Sequence, residues 1–458
     1  MVEFGFTSLL PSLLAIILAL KSKNVYISLF FATVLAYFIL NDFAFASSLM
    51  GVVELFVSLL SEAWVLKTLA FALLAGSIIA LIEASGGIEG FVEFMQKRVA
   101  LVKDERSALL LSYFLGVLIF VESSITALVS GAVGRSFAPR YKIAQAKLAL
   151  VCDSTSASIS SIIAINGWGA LLLGLIASQV EQGVVEANPI ELLIEGILFN
   201  FYSFSALVVT MLFILYDFRL GAMKHATYKE PTVIRHNLKK ASLWFMVLPI
   251  LVMVASVFVY LYITGDGDIL SGSGSSAIFY TMATTLALML PFYTLSGNMS
   301  FGKFARSARD GFVAFVPITT ILLLAFAIGE ATHKLEAGVY LASLITDSID
   351  PIFIAALIFL ISSVISFATG TSWGTFSIMM PIAIPLAIST DASVALAIGA
   401  VISGGVFGDH CSPISDTTII SSMAADCEII EHVQTQLPYA LLSGGIALLL
   451  FIVVALLL

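Results

Sequence analysis

Apolar segments of roughly 15 to 27 residues follow one another from end to end of this chain, and that length is what a helix needs to cross a bilayer. A water-soluble fold could not hide so many continuous apolar runs. None shows the weak alternation of a barrel strand, so the spans read as helices. Composition agrees: 60% of the 458 residues are hydrophobic and only 11% are charged, with a mean hydropathy of +1.06. No segment reads as a soluble domain. The run 6–20 lacks a basic leader and a small-residue cleavage site, which makes it an expected first span rather than a signal peptide. Cys152, Cys411 and Cys427 are odd in number and without CxxC spacing, which argues against a disulfide framework and against a zinc site. The net charge of −9 says little, because in such a chain the placement of charge matters more than its sum.

Lys and Arg gather in few places: Lys21 and Lys23; Lys97, Arg98, Lys103 and Arg106; Arg135, Arg140, Lys142 and Lys147; the loop 219–240; and Lys303, Arg306 and Arg309. Basic clusters mark the cytoplasmic side. Glu181, Glu186, Glu191 and Glu195 stand without basic neighbours, as do Asp266 and Asp268, so these stretches belong outside.

Threading the apolar runs between these anchors predicts spans at 6–20, 25–40 and 65–83, with 43–60 as an extra helix at the outer interface. Residues 107–133 leave one basic cluster and return to another. Two full spans would need about 40 apolar residues, so a re-entrant hairpin (about 107–134) fits better. Residues 147–180 would measure about 50 Å as one straight helix, and the polar run Asp153-Ser154-Thr155-Ser156-Ala157-Ser158 interrupts them. A discontinuous helix is the economical reading. Residues 190–216 bring the chain back inside. The second half repeats the plan upside down: spans at 243–263, 277–295 and 312–328, a hairpin at about 352–390, a broken helix at 394–424 interrupted at Gly408–Thr418, and a last span at 437–458.

The repeat is faintly visible in letters. Glu83-Ala84 matches Glu330-Ala331 at an offset of 247, Ser123-Ser124 matches Thr371-Ser372 at 248, and Asp153 with Ser156 matches Asp409 with Ser412 at 256. With the opposed charge flanks this makes an all-α polytopic membrane protein of two inverted-topology repeats. Each repeat would hold about five transmembrane helices, one re-entrant hairpin and one discontinuous helix. The repeats would be 1–216 and 243–458, joined by a cytoplasmic loop at 217–242. An inverted repeat is the signature of a secondary transporter with its site at the repeat interface.

A broken helix exposes free carbonyls on one half and free N–H groups on the other. Hydroxyl, carbonyl and carboxylate oxygens suit small hard cations, and Na⁺ is the natural coupling ion. The candidate binding residues are Asp153, Ser154, Thr155 and Ser156 at the first break and Glu122, Ser123 and Ser124 at the first hairpin tip. Gly370, Thr371 and Ser372 at the second tip, and Asp409, His410, Ser412 and Asp416 at the second break, complete the set. Asp153, Asp409, Ser124 and Thr371 are the expected Na⁺ ligands. A buried carboxylate can take a proton or a Na⁺ but not both, a physical basis for antiport. Blander roles compete: Asp153 and Asp409 as N-caps, Asp416 and His410 as hydrogen-bonded structural groups, Ser160 and Thr375 as helix-packing hydroxyls, Trp168 and Trp373 as packing residues, and the loop 219–240 as a solvated connector or an anionic-lipid contact. No pair supports a zinc enzyme.

The string Gly408-Asp409-His410-Cys411-Ser412-Pro413-Ile414-Ser415-Asp416-Thr417-Thr418, followed by Ile419, Ile420, Ser421 and Ser422 and then by His432-Val433-Gln434-Thr435-Gln436-Leu437-Pro438-Tyr439-Ala440, resembles the C-terminal signature of the NhaC-type Na⁺/H⁺ antiporters. Gly370-Thr371-Ser372-Trp373-Gly374-Thr375 and the run from Ala146-Lys147-Leu148-Ala149 through Asp153-Ser154-Thr155-Ser156 are similar to further motifs of that family. The resemblance spans nearly the whole chain. It implies sodium-coupled transport in a fold of the ion-transporter superfamily, with two inverted repeats that each carry a hairpin and a broken helix. The family also holds members that move organic solutes, such as malate for lactate, or amino acids. Many relatives carry two acidic residues and an aromatic where this chain has Glu122-Ser123-Ser124, and a proline where it has Ser158, so a charge is missing from the expected pocket.

The expected function is a sodium-coupled secondary active transporter, an Na⁺/H⁺ antiporter working by alternating access, and not an enzyme. A Na⁺-coupled symporter or exchanger of a small organic anion or amino acid is the alternative. A channel suits broken helices and an inverted repeat less well. The expected setting is multi-pass, in a bacterial-type inner membrane, with Na⁺, H⁺ or a small organic solute and the lipid bilayer as partners, a homodimer open as the assembly, no cofactor beyond Na⁺ as coupling ion, and no nucleic acid.

Overall fold

The computed structural model describes residues 4–22, 24–97, 102–120, 123–163, 166–230, 241–267, 272–337, 340, 350–413 and 415–458. It is all-helical among these residues. The first half runs α1 (Leu10–Ser22), α2 (Val25–Leu40), α3 (Phe45–Ser61), α4 (Ala63–Ser85), α5 (Gly87–Lys97), α6 (Glu105–Leu118), α7 (Ser123–Tyr141), α8 (Gln145–Ile162), α9 (Gly167–Glu181), α10 (Pro189–Leu198) and α11 (Phe201–Tyr216). The second half runs α12 (Trp244–Thr264), α13 (Gly274–Leu295), α14 (Phe301–Ala314), α15 (Val316–Lys334), α16 (Ile354–Thr369), α17 (Ser372–Ser389), α18 (Val394–Cys411), α19 (Asp416–Ala425) and α20 (Ile429–Ala455). Among the described residues nine helical segments are long and apolar enough to cross a membrane, or ten when the bent pair α8–α9 is taken as one span.

The helix boundaries carry an internal register. The helices α13, α16, α17, α18 and α19 each begin 249 residues after α2, α6, α7, α8 and α9, and α15 ends 249 residues after α4. At that spacing the counterpart of Asp409 is Ser160, and that of Asp153 is Ile402. The letter match of Asp153 to Asp409 therefore does not survive as a structural equivalence. A two-letter coincidence is weaker than the positions of whole helices.

Three further expectations change. The polar run Asp153–Ser158 does not interrupt its helix, because the hydroxyls bond back to carbonyls of the same helix: Thr155 Oγ1 to Val151 at 2.7 Å and Ser156 Oγ to Asp153 at 3.2 Å. The break comes later, between Ile162 and Gly167, with a 40° bend. The basic stretches near Lys97 and Lys303, read only as charge clusters between spans, contain the amphipathic helices α5 and α14, and Ser300 starts α14 by capping Lys303 N–H at 3.3 Å. Finally, α20 begins at Ile429 rather than at 437.

Two helices form the centre. Every residue of α8 from Gln145 to Ser161 is buried, as is nearly all of α18. Helices buried on every side must be surrounded by other helices. The hairpin α6–α7 packs on α8, and α16–α17 packs on α18. The second contact is close because Gly404 and Gly408 present no side chain: a Cβ at Gly408 would stand 2.3 Å from the Ser363 carbonyl, and one at Gly404 2.4 Å from that of Phe359.

Candidate functional site

Each central helix ends at a break with its own solution for the freed backbone groups. At the first, Asn166 accepts the Gly169 N–H at 3.0 Å, and its amide donates to the carbonyls of Ser160 and Phe120, both at 2.9 Å. The Phe120 contact ties the tip of the first hairpin to the break. At the second, Pro413 cannot continue α18, and Ser415 starts α19 by accepting the Thr418 N–H at 3.4 Å. The capping roles weighed for Asp153 and Asp409 fall instead to Asn166 and Ser415.

Asp409 lies in the last turn of α18 and is 1% exposed. Its Oδ1 accepts from Ser415 Oγ at 2.5 Å, and its Oδ2 from Ser372 Oγ at 3.0 Å and Thr417 Oγ1 at 3.3 Å. Ser372, at the second hairpin tip, also lies 3.1 Å from the Gly405 carbonyl. Each of these three donors is a hydroxyl, so each also offers oxygen lone pairs.

Asp153, in the middle of α8, is 0% exposed and meets a different set. Gln436 Nε2 donates to its Oδ2 at 2.6 Å and His432 Nε2 approaches the same oxygen at 3.2 Å, with Thr418 Oγ1 at 3.5 Å; Ser421 Oγ donates to Oδ1 at 3.3 Å. N–H groups carry no lone pair, so they stabilise a carboxylate while competing with a cation for it. His432 Nδ1 is buried and has no hydrogen-bond partner among the described residues.

The two carboxylate groups are linked. Thr418 Oγ1 is also 3.4 Å from the Asp409 carbonyl, and Gln436 Nε2 donates to the His410 carbonyl at 2.9 Å. His410 Nε2 lies 3.2 Å from the Asp153 carbonyl and its Nδ1 2.9 Å from Tyr202 OH. A carbonyl only accepts, so Nε2 carries a hydrogen, and both ring nitrogens of His410 have a partner.

Of the other sequence candidates, Ser412 is the fully buried C-cap of α18. Gly370 has a φ of 68° and ends α16, and Thr371 Oγ1 is turned back to cap α17 through Gly374 N–H at 3.5 Å. Ser123 and Ser154 are buried, and Thr155 and Ser156 face carbonyls of their own helix. Glu122 and the side chains of Ser124 and Asp416 lie outside the described residues. Sequence reasoning left out Tyr202, Ser415, Thr417, Thr418, Ser421, His432 and Gln436 as site residues. His432 and Gln436 stand four apart on one helix face, a spacing that was readable once the helix was known to start at Ile429.

Comparison with known proteins follows the same lines. A sequence profile described as "Na+/H+ antiporter family" matches residues 162–456. An uncharacterised protein of Haemophilus influenzae is 31% identical over 457 residues, covering 94% of this chain and 88% of that one. The malate-2H(+)/Na(+)-lactate antiporter of Bacillus subtilis is 36% identical over 103 residues, 22% of each chain. The crystal structure of the YdaH transporter of Alcanivorax borkumensis shares the fold, with a TM-score of 0.61 at 13% identity over 90% of this chain and 89% of that one.

Proposed function

Because the chain belongs to the Na⁺/H⁺ antiporter family, and is thus a membrane transporter, we propose that it exchanges Na⁺ for protons by alternating access. The observation that carries this reading is the pair of buried carboxylates with different donor sets, side-chain N–H groups as well as hydroxyls at Asp153 and the hydroxyls of Ser372, Ser415 and Thr417 at Asp409. Asp409 sits among the hydroxyls of Ser372, Ser415 and Thr417, which can turn their lone pairs to a hard cation. Asp153 sits against His432 and Gln436, whose N–H groups compete with an ion for Oδ2. We place Na⁺ at Asp409, with Ser372, Ser415 and Thr417 replacing the expected Ser124 and Thr371 as its oxygen ligands, and the exchanged proton at the Asp153–His432 pair. The two carboxylate groups are linked through Thr418 and Gln436, so in a low-dielectric interior a cation held at one opposes a cation at the other, and alternation between Na⁺ and H⁺ is exchange.

The constant register of 249 residues supports two repeats, 1–216 and 243–458, joined by the segment 217–242. In this reading the repeats are inverted, the breaks face each other at the bilayer midplane, and one structural unit moves against the other around them. The setting is the inner membrane of a bacterial-type cell.

The test is the purified protein in liposomes that hold a pH-sensitive dye. An imposed Na⁺ gradient should move protons in the opposite direction. A Na⁺ gradient that moves no protons overturns the proposal. A second reading, sodium-coupled exchange of a small organic anion, is favoured by the local likeness to the B. subtilis malate and lactate antiporter; uptake of a labelled carboxylate driven by Na⁺ in the same liposomes would establish it instead.

A further inference from the structure

The segment between α10 and α11 makes more bonds than a turn requires. Asn200 caps α11, its Oδ1 accepting the Ser203 N–H at 3.4 Å. A serine or aspartate would serve for that alone. The amide does two further things. Its Nδ2 donates to Ser161 Oγ at 2.9 Å, in the last turn of α8, and its Oδ1 accepts from Ser403 Oγ at 3.1 Å, on α18. Ser161 and Ser203 hydroxyls lie 2.9 Å apart, and the Tyr202 N–H reaches Ser403 Oγ at 3.3 Å. All five residues are buried.

This cluster stands between the two broken helices. Ser161 is one residue from the end of the half-helix that carries Asp153, and Ser403 is six residues before Asp409. Ser403 and His410 are seven apart, two turns along one face of α18. The start of α11 therefore grips that face at two points, through Asn200 to Ser403 and through the Tyr202 hydroxyl to His410. The apolar stretch 189–216 is broken at Phe199–Asn200. A break in lipid exposes backbone groups that need partners, and the bonds of Asn200 go beyond supplying them.

We infer that Asn200 is a positioning residue that pins α8 to α18, so that the helix carrying Asp153 and the helix carrying Asp409 shift as one body. The inference rests on the exchange reading above. Asn200 touches neither carboxylate. It fixes the distance between them, and a fixed distance is what lets occupancy of one site govern the other. Without it, each half can respond to its own ligand alone and the exchanger slips.

The experiment compares full-length wild type with Asn200→Ser, Ser403→Ala and their double mutant in dye-loaded liposomes, with ²²Na⁺ flux measured beside proton flux. Asn200→Ser keeps a cap for α11 but is too short to reach both partners. It should lower the maximal exchange rate about tenfold and lower the number of protons moved per Na⁺, with the Na⁺ concentration for half-maximal rate within about twofold of wild type. Ser403→Ala should act in the same direction, and the double mutant should be no worse than Asn200→Ser, because both remove one bridge. If Asn200→Ser does not assemble, Ser403→Ala and Ser161→Ala, each losing one hydroxyl, carry the same comparison. A variant with wild-type rate and proton ratio overturns the inference. So does a rise in the half-maximal Na⁺ concentration parallel to the loss of rate, or independent multiplication of the two effects. Wild type that moves no protons sinks the exchange reading itself, which separates that failure from this one.

Discussion

Ser372→Ala isolates the hydroxyl cage of Asp409. The Ser372 side chain is 1% exposed, and its Oγ is 3.0 Å from Asp409 Oδ2 and 3.1 Å from the Gly405 carbonyl. The substitution removes one oxygen and disturbs nothing else of that size, since the cap of α17 belongs to Thr371. A hydrogen bond to a charged group contributes about 1.5 to 3 kcal/mol, and about 1.4 kcal/mol is a factor of ten in affinity. If the hydroxyl turns its lone pair to Na⁺ when the ion enters, the Na⁺ concentration for half-maximal exchange should rise about tenfold or more, with the maximal rate within about threefold. The assay is initial proton flux against Na⁺ concentration, paired with thermal unfolding in detergent with and without Na⁺. The Na⁺-induced rise in Tm should shrink in the variant. A half-maximal concentration within about twofold of wild type, with only a loss of Tm, would refute the cage as the cation site and leave Ser372 as a packing bond.

Other outcomes follow from the same geometry. Asp409→Asn should abolish Na⁺-induced stabilisation, while Asp153→Asn should keep it but lose proton movement; full exchange in either would remove that residue from the cycle. Gly311→Ala should lower thermal stability by about 1 to 3 kcal/mol, read by unfolding in detergent, because its Cβ would stand 2.2 Å from the Gly76 carbonyl and wedge α14 from α4. A single cysteine introduced at Glu186, between α9 and α10, should react with a membrane-impermeant maleimide from outside the cell; reaction only from inside would reverse the topology drawn from the charge clusters. Asp217→Asn should loosen the N-terminal end of α8, where buried Lys147 is paired at 2.7 Å with Asp217 and at 2.9 Å with Glu105, and should lower Tm, since an ammonium taken out of water loses half of its compensation.

The sequence by itself determined the class and most of the plan. Bilayer thickness and hydropathy are properties of single segments, so the helical class, most of the apolar spans and the helix at 43–60 could be read one stretch at a time. Gly408–Thr418 was legible as a break because proline cannot continue a helix. Where the first helix breaks was not legible, because a serine- and threonine-rich run can either unwind a helix or bond back to it, and α8 does the second. The tertiary structure alone decided which groups meet. It brought His432 and Gln436 to Asp153 from almost 300 residues away and set the hydroxyls of Ser372, Ser415 and Thr417 around Asp409. It also separated two aspartates that the letters had paired, since equivalence in a repeat is fixed by the positions of whole helices. Burial tells a sequence reader that a carboxylate must have partners. Only packing across distant helices says whether those partners leave a place for an ion.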